Sequence, residues 1–310
     1  MRVLHVPVLL KEVMDALNPG PDKNYIDVTL GYGGHAKAIL DKTAPNGRLI
    51  GIDQDEDALV VAKETMAPYV NRFQAIHGSF GKLDELVSDF EVNGGILADI
   101  GVSSVQLDNP ERGFSFRTDG PLDMRMDRTS SLTAAEIVNT WDEAQISKII
   151  REYGEERFSK RIARAIVDTR QVEHIETTKK LEMIVLGAIP RRFWPKGINP
   201  ATRTFQAIRI AVNNELGALT DFLPQAVDLL NPGARLAVIT FHSLEDRIVK
   251  DYFKERVNPC TCPSEFPKCV CGKIGDVKII TKKPIIASEE EIKINPRSRS
   301  AKLRVIEKIK

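Results

Sequence analysis

Residues 27–36 read DVTLGYGGHA, and this stretch decides the fold that the sequence predicts. The short apolar run YIDVTLG (25–31) ends in glycine and is typical of a strand, and the HAKAILDKT that follows is helical. Gly31, Gly33 and Ala36 fit the pattern G-x-G-x-x-[GA], whose glycines let backbone approach a nucleotide where a strand turns into a helix. The stretch therefore predicts the first strand-helix unit of a nucleotide-binding fold.

Strands and helices alternate through the first hundred residues. Further apolar runs predict strands at 48–55, 72–80 and 94–103, with helices between them. Alternation of this kind implies parallel pairing in a doubly wound α/β sheet. A fifth strand is predicted at 235–243. DVKIITKKPI and AKLRVIEKI then predict two last strands, with no helical pattern between them, as an antiparallel pair at one edge.

The alternation stops in the middle of the chain. From 107 to 217 the pattern predicts helices and loops without a convincing strand, so we expect an all-helical domain inserted into a discontinuous sheet domain of 1–106 and 218–310. Asp142 with Gln145, and Ser243 with Asp246, each have the spacing of a capping box at the start of a helix.

Asp53 ends the second predicted strand, 22 residues after Gly31. An acid at this place accepts hydrogen bonds from the ribose of a dinucleotide or nucleoside cofactor. The alternative is a tight turn beside a solvent-facing acid. NAD and S-adenosylmethionine both present an adenosine ribose here, so this spacing does not separate them. The antiparallel last strands, and the acid Asp27 that opens the motif, favour the methyl donor.

Other cofactor contacts are expected at the carboxyl ends of the third and fourth strands, where open α/β sheets bind their ligands. The candidates are Phe80 in HGSF, and Asp99 and Gln106 in ADIGVSSVQLD. For Phe80 the alternative is simple packing in the core.

Charge is unevenly distributed along the 310 residues. Residues 1–100 carry 9 Lys and Arg against 15 Asp and Glu, whereas 151–212 carry 13 against 7, and 292–310 carry 7 against 1. The basic regions favour an anionic partner such as RNA or DNA, with solvated helix faces as the alternative. No apolar run approaches membrane-spanning length, and no secretory cleavage site follows the N-terminus, so we expect a cytoplasmic protein without a membrane partner.

Several ordered motifs together resemble one family, the H-type cytosine-N4 methyltransferases of small-subunit (16S) ribosomal RNA. The resemblance spans nearly the whole chain and is carried by HVPVLLKEV (5–13), DVTLGYGGHA (27–36), IGIDQDEDAL (50–59), DIGVSSVQLD (99–108), RGFSF (112–116), GPLDMRMD (120–127), NPATRTFQAIRI (199–210) and TFHSLEDR (240–247).

The resemblance implies a class I S-adenosylmethionine-dependent methyltransferase fold, a Rossmann-like sheet with an antiparallel last strand and a helical domain inserted after the fourth strand. It implies methylation of the N4 amine of a cytosine at the decoding centre, with 16S rRNA or the small ribosomal subunit as partner and no obligate protein partner. The residues it implies in contact with S-adenosylmethionine are Gly33, Gly34, His35, Asp53, Phe80, Asp99 and Gln106.

The chemistry of the transfer leaves the catalytic residue unassigned. The N4 lone pair is delocalised into the ring, so an acceptor for the N4 hydrogens would help, but the cofactor role is our first choice for Asp99. DIGVS also lacks the Asp/Asn-Pro-Pro-aromatic motif of many amino-methyltransferases. His242 and Ser243 are expected near the base or, alternatively, as a packed histidine and a helix cap. Arg112, Arg117, Arg125 and Arg128 are predicted to shape the substrate pocket.

The four cysteines lie together in CTCPSEFPKCVC (260–271). This position, outside the predicted cofactor crevice, disfavours C5 methylation, which typically uses a cysteine nucleophile. In a cytosolic protein such a cluster suggests a structural zinc rather than disulfides, although C-x-C pairs are tighter than the usual C-x₂-C. A catalytic metal is not expected. Two rival functions stay open: an NAD-dependent oxidoreductase, and a non-enzymatic RNA-binding protein.

Overall fold

The computed structural model describes residues 7–263 and 270–310. These residues form an eight-stranded sheet. Its strands are β1 (Tyr25–Asp27), β2 (Leu49–Asp53), β3 (Phe73–His77), β4 (Gly95–Asp99), β5 (Arg235–Thr240), β6 (Val277–Ile279), β7 (Ile285–Ile286) and β8 (Lys302–Lys308).

The sheet has the order β3-β2-β1-β4-β5-β8-β6, with β7 also paired to β8. Strands β1 to β5 pair in parallel, whereas β8 runs antiparallel to β5, β6 and β7. The order changes direction at β1, which lies between β2 and β4. This confirms the predicted doubly wound sheet with an antiparallel last strand, and it puts a ligand crevice at the carboxyl ends of β1 and β4.

Two predictions for the last strands need correction. The single strand predicted over DVKIITKKPI is divided into β6 and β7, and a helix at Glu289–Ile294 lies before β8, where no helix was predicted. Ser288 begins that helix by accepting the N–H of Glu291, and its first turn holds three glutamates, which favour a helix N-terminus. The helix is six residues long and buries none of them, so it has no apolar periodicity to detect.

The helices of the chain fall into two compact units, one of Met1–Gly101 with Leu216–Lys310 and one of Val102–Glu215. Helices α1 to α4 are Leu10–Leu17, Gly34–Lys42, Glu56–Thr65 and Leu83–Leu86. Helices α5 to α10 are Ser104–Asp108, Ala134–Thr140, Glu143–Glu152, Ser159–Arg170, Thr178–Ala188 and Thr202–Asn213. Helices α11 to α13 are Glu215–Leu229, Ser243–Val257 and Glu289–Ile294. The domain boundaries at 106 and 218 stay a prediction, because compactness does not test whether each part folds alone.

The first unit has a hydrophobic core on each face of its sheet. Ile26, Ile96 and Val238 belong to one cluster, and their neighbours Leu97 and Ile239 to the other. Successive side chains of a strand point to opposite faces, so strands buried on both sides read as continuous apolar runs. For this reason the apolar runs in the sequence predicted these strands.

The second unit has its own core, drawn from the helices between Val102 and Glu215. Its helix α7 begins with the predicted capping box, in which Asp142 accepts the N–H of Gln145 at 2.7 Å and the Gln145 side chain accepts the N–H of Asp142 at 3.1 Å. Ile146, Ile149 and Ile150 then bury one face of the helix. Among residues 7–263 and 270–310, no helix has the length and apolar character needed to cross a membrane.

Candidate functional site

The turn between β1 and α2 depends on glycine. Gly31 and Gly33 have φ angles of 51° and 80°, which L side chains adopt reluctantly. A Cβ atom on Gly33 would lie 2.7 Å from the Cε of Met66, and one on Gly34 would lie 2.4 Å from the Cγ of Pro7. The turn therefore requires small residues for its own packing, and its backbone lies at the carboxyl end of β1, where a ligand is expected.

Asp53, the last residue of β2, fastens this turn. Its Oδ2 accepts the N–H of Gly31 at 2.7 Å, and its Oδ1 accepts the N–H of Asp55 at 2.9 Å. Burial raises the pKa of the carboxyl group to about 6, although both backbone N–H groups oppose the rise. Each oxygen of a carboxylate has a second lone pair, so Asp53 can hold the turn and accept a ligand hydroxyl together.

Asp27, the last residue of β1, is a second acid at this edge and is buried. Its side chain is 1% exposed and accepts the N–H of Thr29 at 3.2 Å. Burial raises its pKa to about 7, and the charge of Asp53 adds to the rise. Burial therefore raises the pKa of two carboxyl groups at this edge above that of an ordinary aspartate.

Asp99 ends β4 and is the third acid. Its N–H donates to the Oγ1 of Thr29 at 2.6 Å, which joins the ends of β1 and β4. Its Oδ1 is buried without a hydrogen-bond partner among the described residues. Burial and the charges of Asp27 and Glu245 raise its pKa well above the usual value. A buried unpartnered oxygen is costly, so Asp99 is suited to a donor that a ligand supplies.

His35, in the first turn of α2, is buried and held in place by a hydrogen bond. It is 6% exposed, and its Nε2–H donates to the carbonyl of Val8 at 2.9 Å. Its Nδ1 lies 4.0 Å from the Oδ2 of Asp99. The ring is thus held by the segment before α1 with one nitrogen near the acid that ends β4, and its contact with a cofactor stays a prediction.

The predicted capping box of Ser243 with Asp246, after β5, was wrong. The N-cap of α12 is His242, not Ser243, and the partner in the box is Glu245, not Asp246. The Oε2 of Glu245 accepts the N–H of Phe241 at 2.8 Å, and its Oε1 lies 3.0 Å from the Nε2 of His242. The helix starts one residue earlier than the serine suggested, because histidine can also accept at an N-cap. Asp246 instead forms an ion pair with Arg304 at 2.7 Å.

These contacts also show what the sequence reading missed. Thr29 links the ends of β1 and β4, and the negative charge of Glu245 raises the pKa of Asp99. The sequence motifs predicted a role for neither residue. The available signal for Glu245 was its position as the third residue of the helix after the fifth strand, where an acid can complete a capping box.

Phe80 lies just after β3, where the sequence placed it. It is 8% exposed and meets the ring of Phe222 edge to face at 5.5 Å. Phe80 therefore packs in the core, as the alternative interpretation predicted. A contact between Phe80 and a cofactor stays a prediction.

Gln106 belongs to the second compact unit. Its Oε1 accepts the N–H of Ser103 at 2.9 Å, and its N–H donates to the Ser103 hydroxyl at 3.2 Å, so it completes a capping box for α5. The side chain has a structural role that sequence reasoning did not foresee. Its contact with a cofactor likewise stays a prediction.

The four arginines of the loop after α5 divide into two pairs. Arg112 is buried and donates to the carbonyls of Arg125 and Met126, both at 3.0 Å. Arg125 forms a bidentate ion pair with Asp123 at 2.9 and 2.8 Å and also donates to two backbone carbonyls. Arg117 and Arg128 are exposed. The second pair is therefore the better candidate for phosphate contacts, while the first pair holds the loop together.

Three cysteines come together after α12. The Sγ atoms of Cys260, Cys262 and Cys271 all lie within 4.8 Å of one another, and Cys269 lies outside the described residues. Helix α12 leads away from the carboxyl end of β5 for 15 residues, or about 22 Å at 1.5 Å per residue. The described thiols therefore follow the end of this helix that is remote from β5.

The acids at this edge favour a cationic ligand. Asp27, Asp53 and Asp99 stand at the carboxyl ends of three neighbouring strands, and burial disfavours their charged forms. A positive ligand would relieve this by pairing with the carboxylates, whereas a pyrophosphate would add like charge. The glycine turn alone is compatible with both ligands, and the acids around it favour the cationic ligand.

The known proteins that are similar to this chain are methyltransferases by name. A model described as the MraW methylase family matches residues 2–309. The chain is 53% identical over 312 residues to a ribosomal RNA small subunit methyltransferase H of Heliobacterium mobile, covering 100% of both chains. It is 53% identical over 307 residues to the protein of that name in Symbiobacterium thermophilum, covering 98% of this chain and 96% of that one. A third such protein, of Clostridium botulinum, is 52% identical over 311 residues, covering 100% of both. These relatives give the oxidoreductase alternative no support.

Proposed function

The chain belongs to the MraW methylase family, and from that premise we propose that it transfers the methyl group of S-adenosylmethionine to 16S rRNA of the small ribosomal subunit, at the N4 amine of a cytosine of the decoding centre. The relatives named above support methylation of small-subunit ribosomal RNA. The cytosine and its N4 atom rest on the sequence motifs.

One observation carries the proposal for the cofactor, the three acids that end neighbouring strands around a glycine turn, of which Asp27 is buried and Asp53 and Asp99 are partly buried. S-adenosylmethionine has a positive sulfonium and a positive α-ammonium group. Both charges suit carboxylates that have lost their water, since a nearby opposite charge favours the ionised form. The product of transfer lacks the sulfonium charge, so the same acids hold it less strongly.

We assign the parts of the cofactor by the chemistry of each position. Asp53 accepts the ribose hydroxyls, as acids at the end of the second strand do. The turn at Gly33 and Gly34 lies under the methionine end. Asp99 has a buried oxygen without a partner, and we assign it to an amine of the cofactor. His35 positions Asp99 and the segment before α1.

The proposed reaction is an in-line displacement. The cytosine N4 attacks the methyl carbon, the S–CH₃ bond breaks with its electron pair on sulfur, and N4 loses a proton to solvent or to a nearby acceptor. The sulfonium already activates the methyl group, so the protein contributes orientation and removal of water. The reaction assigns no step to a metal or to a cysteine. A structural zinc, the other cofactor that the sequence suggests, is a separate proposal.

We propose that the second unit binds the RNA. The guanidinium of Arg157 lies 4.4 Å from the ring centre of Phe193, and that of Arg192 lies 4.8 Å from the same ring, which is 38% exposed. Exposed arginines beside aromatic rings contact phosphates and stack on unpaired bases. The target base must leave its stack to reach the methyl group. Since ribosomes are its proposed substrate, we place the chain in the cytoplasm.

The direct test uses the full chain with S-adenosylmethionine labelled in its methyl group. Small subunits from cells that lack the chain are compared with naked 16S rRNA, and the RNA is digested to nucleosides. We expect label in N4-methylcytidine. The proposal is wrong if neither substrate gains label, and a chain that binds NAD but not S-adenosylmethionine would revive the oxidoreductase alternative.

A further inference from the structure

We propose that Cys260, Cys262 and Cys271, which lie between α12 and β6, bind a structural zinc ion. The proposal goes beyond methyl transfer and is independent of it. It rests on the geometry of the three thiols, on a hydrogen bond to one of them, and on the lack of a core in the segment that contains them.

The spacing of the sulfur atoms fits a tetrahedral zinc site. The Sγ atoms of Cys260 and Cys271 are 3.8 Å apart. A zinc–sulfur bond of about 2.3 Å at the tetrahedral angle places two sulfur ligands about 3.8 Å from each other. The Sγ of Cys262 lies within 4.8 Å of both. Three thiols thus converge on one point, which a metal can satisfy together, whereas a disulfide joins only two.

Backbone also supports the sulfur of Cys262. The N–H of Val270 donates to this Sγ at 3.3 Å. Hydrogen bonds from outside a metal site orient its ligands and share the negative charge of a thiolate. This contact brings the two C-x-C parts of the sequence together, because Val270 directly precedes Cys271.

The described residues of this segment have no buried apolar core that would hold the three thiols together. None of its described residues, 258–263 and 270–275, is buried, and none lies in a helix or a strand. Val270 and Ile274 are 73% and 71% exposed. A short segment without a core is usually ordered by disulfides or by a metal.

The two ends of the segment are fastened to each other. Arg256 at the end of α12 forms a bidentate ion pair with Asp276, with two nitrogen–oxygen distances of 2.8 Å. A Cβ atom on Gly275 would lie 2.1 Å from the carbonyl oxygen of Val257, so glycine permits this close approach. Because the ends are already together, a metal has less chain entropy to overcome in closing the segment.

Binding is written as Zn²⁺ with three Cys–SH groups giving three zinc–sulfur bonds and releasing three protons to solvent. Three thiolates give a complex of net charge −1, with a fourth tetrahedral position open to one more ligand. The cluster includes none of the acids at the strand ends, so the ion has a structural role.

The test measures zinc in the full chain, purified with a reductant and without a chelator. We expect about one zinc per chain, and little in the variants Cys262→Ser and Cys271→Ser. Thr261→Ala, an exposed change between two of the thiols, is the matched control and should keep its zinc. Circular dichroism verifies that each variant is folded.

A second measurement covers variants that fail to fold. Cobalt(II) exchanged into the wild-type chain should give the sulfur-to-cobalt charge-transfer absorption and the intense visible bands of a tetrahedral thiolate site. Less than about a tenth of an equivalent of zinc in wild type, full zinc in both folded cysteine variants, or cobalt without the charge-transfer band would each overturn the proposal. None of these results depends on methyl transfer.

Discussion

Asp53 accepts the backbone N–H of Gly31 at 2.7 Å, so the acid that ends β2 also fixes the glycine turn that follows β1. Two features that the sequence separates by 22 residues are one structural unit. The acid proposed to bind the ribose therefore also holds the backbone proposed to lie under the methionine end. A substitution of Asp53 should also disturb the glycine turn.

Asp53→Asn should weaken S-adenosylmethionine binding at least tenfold, or by about 1.4 kcal/mol. Asparagine can accept from Gly31 or from Asp55, but its NH₂ group would then face the other backbone donor. Calorimetry measures the dissociation constant. Asp57→Asn, an exposed acid in the first turn of α3, is the control and should leave affinity unchanged. Equal affinities for the two variants would remove Asp53 from the cofactor site.

Gly33→Ala should weaken cofactor binding more than its loss of stability explains. Its φ of 80° and the Met66 Cε at 2.7 Å both oppose a side chain, with a cost of about 1–2 kcal/mol for the left-handed conformation. Gly233→Ala, with a φ of 88° and open space around it, has the same strain away from the site. Both variants should unfold at lower temperature, but only Gly33→Ala should lose affinity. A similar loss of affinity in both would mean that strain alone is responsible.

Cofactor affinity should rise with pH between about pH 5 and about pH 8, as linkage requires when binding releases protons. Burial raises the pKa of Asp27 from 3.8 to about 7 and that of Asp53 to about 6. In the free protein, the stability that these raised values contribute is fully present below pH 4 and is lost as the pH rises through about 6 to 7. A cationic ligand favours the ionised acids, so it binds better over this window.

The same titration with S-adenosylhomocysteine is the control, because this product lacks the sulfonium charge. We expect a weaker pH dependence for it than for S-adenosylmethionine. Identical profiles for the two ligands would show that the acids do not respond to the sulfonium.

His35→Gln should keep the fold and most of the activity, whereas His35→Ala should lose about 1–3 kcal/mol of stability. The amide of glutamine can still donate to the Val8 carbonyl, which alanine leaves buried without its partner at 2.9 Å. Thermal unfolding and the pH profile of the methylation rate distinguish the roles. If His35 were a general base, glutamine would abolish the rate while preserving stability.

The double variant Arg117→Ala/Arg128→Ala should raise the KM for RNA and reduce the salt dependence of RNA binding by about 0.7 per lost phosphate contact. Both side chains are exposed and neither is a proposed cofactor contact, so cofactor affinity should not change. Arg125→Ala is the contrasting variant. It loses the ion pair to Asp123 and two carbonyl contacts, and should unfold at lower temperature. An unchanged KM in the double variant would place the RNA elsewhere.

The sequence predicted the centre of the sheet well because β1, β2, β4 and β5 are buried on both faces and read as apolar runs. β2 and β4 lie within the predicted 48–55 and 94–103. β1 ends at Asp27 rather than Gly31, since beyond it the backbone follows single hydrogen bonds, such as Val28 to Leu97 at 2.9 Å, instead of a ladder. The helix at Glu289–Ile294 was missed because it lies on the surface and buries no residue.

The site was only partly predictable. Glycine spacing and strand ends identified the positions of Gly33, Asp53 and Asp99. Single motifs do not show which side chains already have partners. Gln106 completes a cap and Arg125 is paired with Asp123, and only the folded chain brings these groups together.

The most direct test of the central claim maps the modified nucleotides of 16S rRNA from cells that lack this chain. In RNA from these cells one decoding-centre cytosine should lack its N4 methyl group, which the wild-type chain should restore and Asp53→Asn should restore poorly. RNA with an unchanged N4-methylcytidine content, or a lost methyl group at a carbon or ribose position instead, would contradict the account.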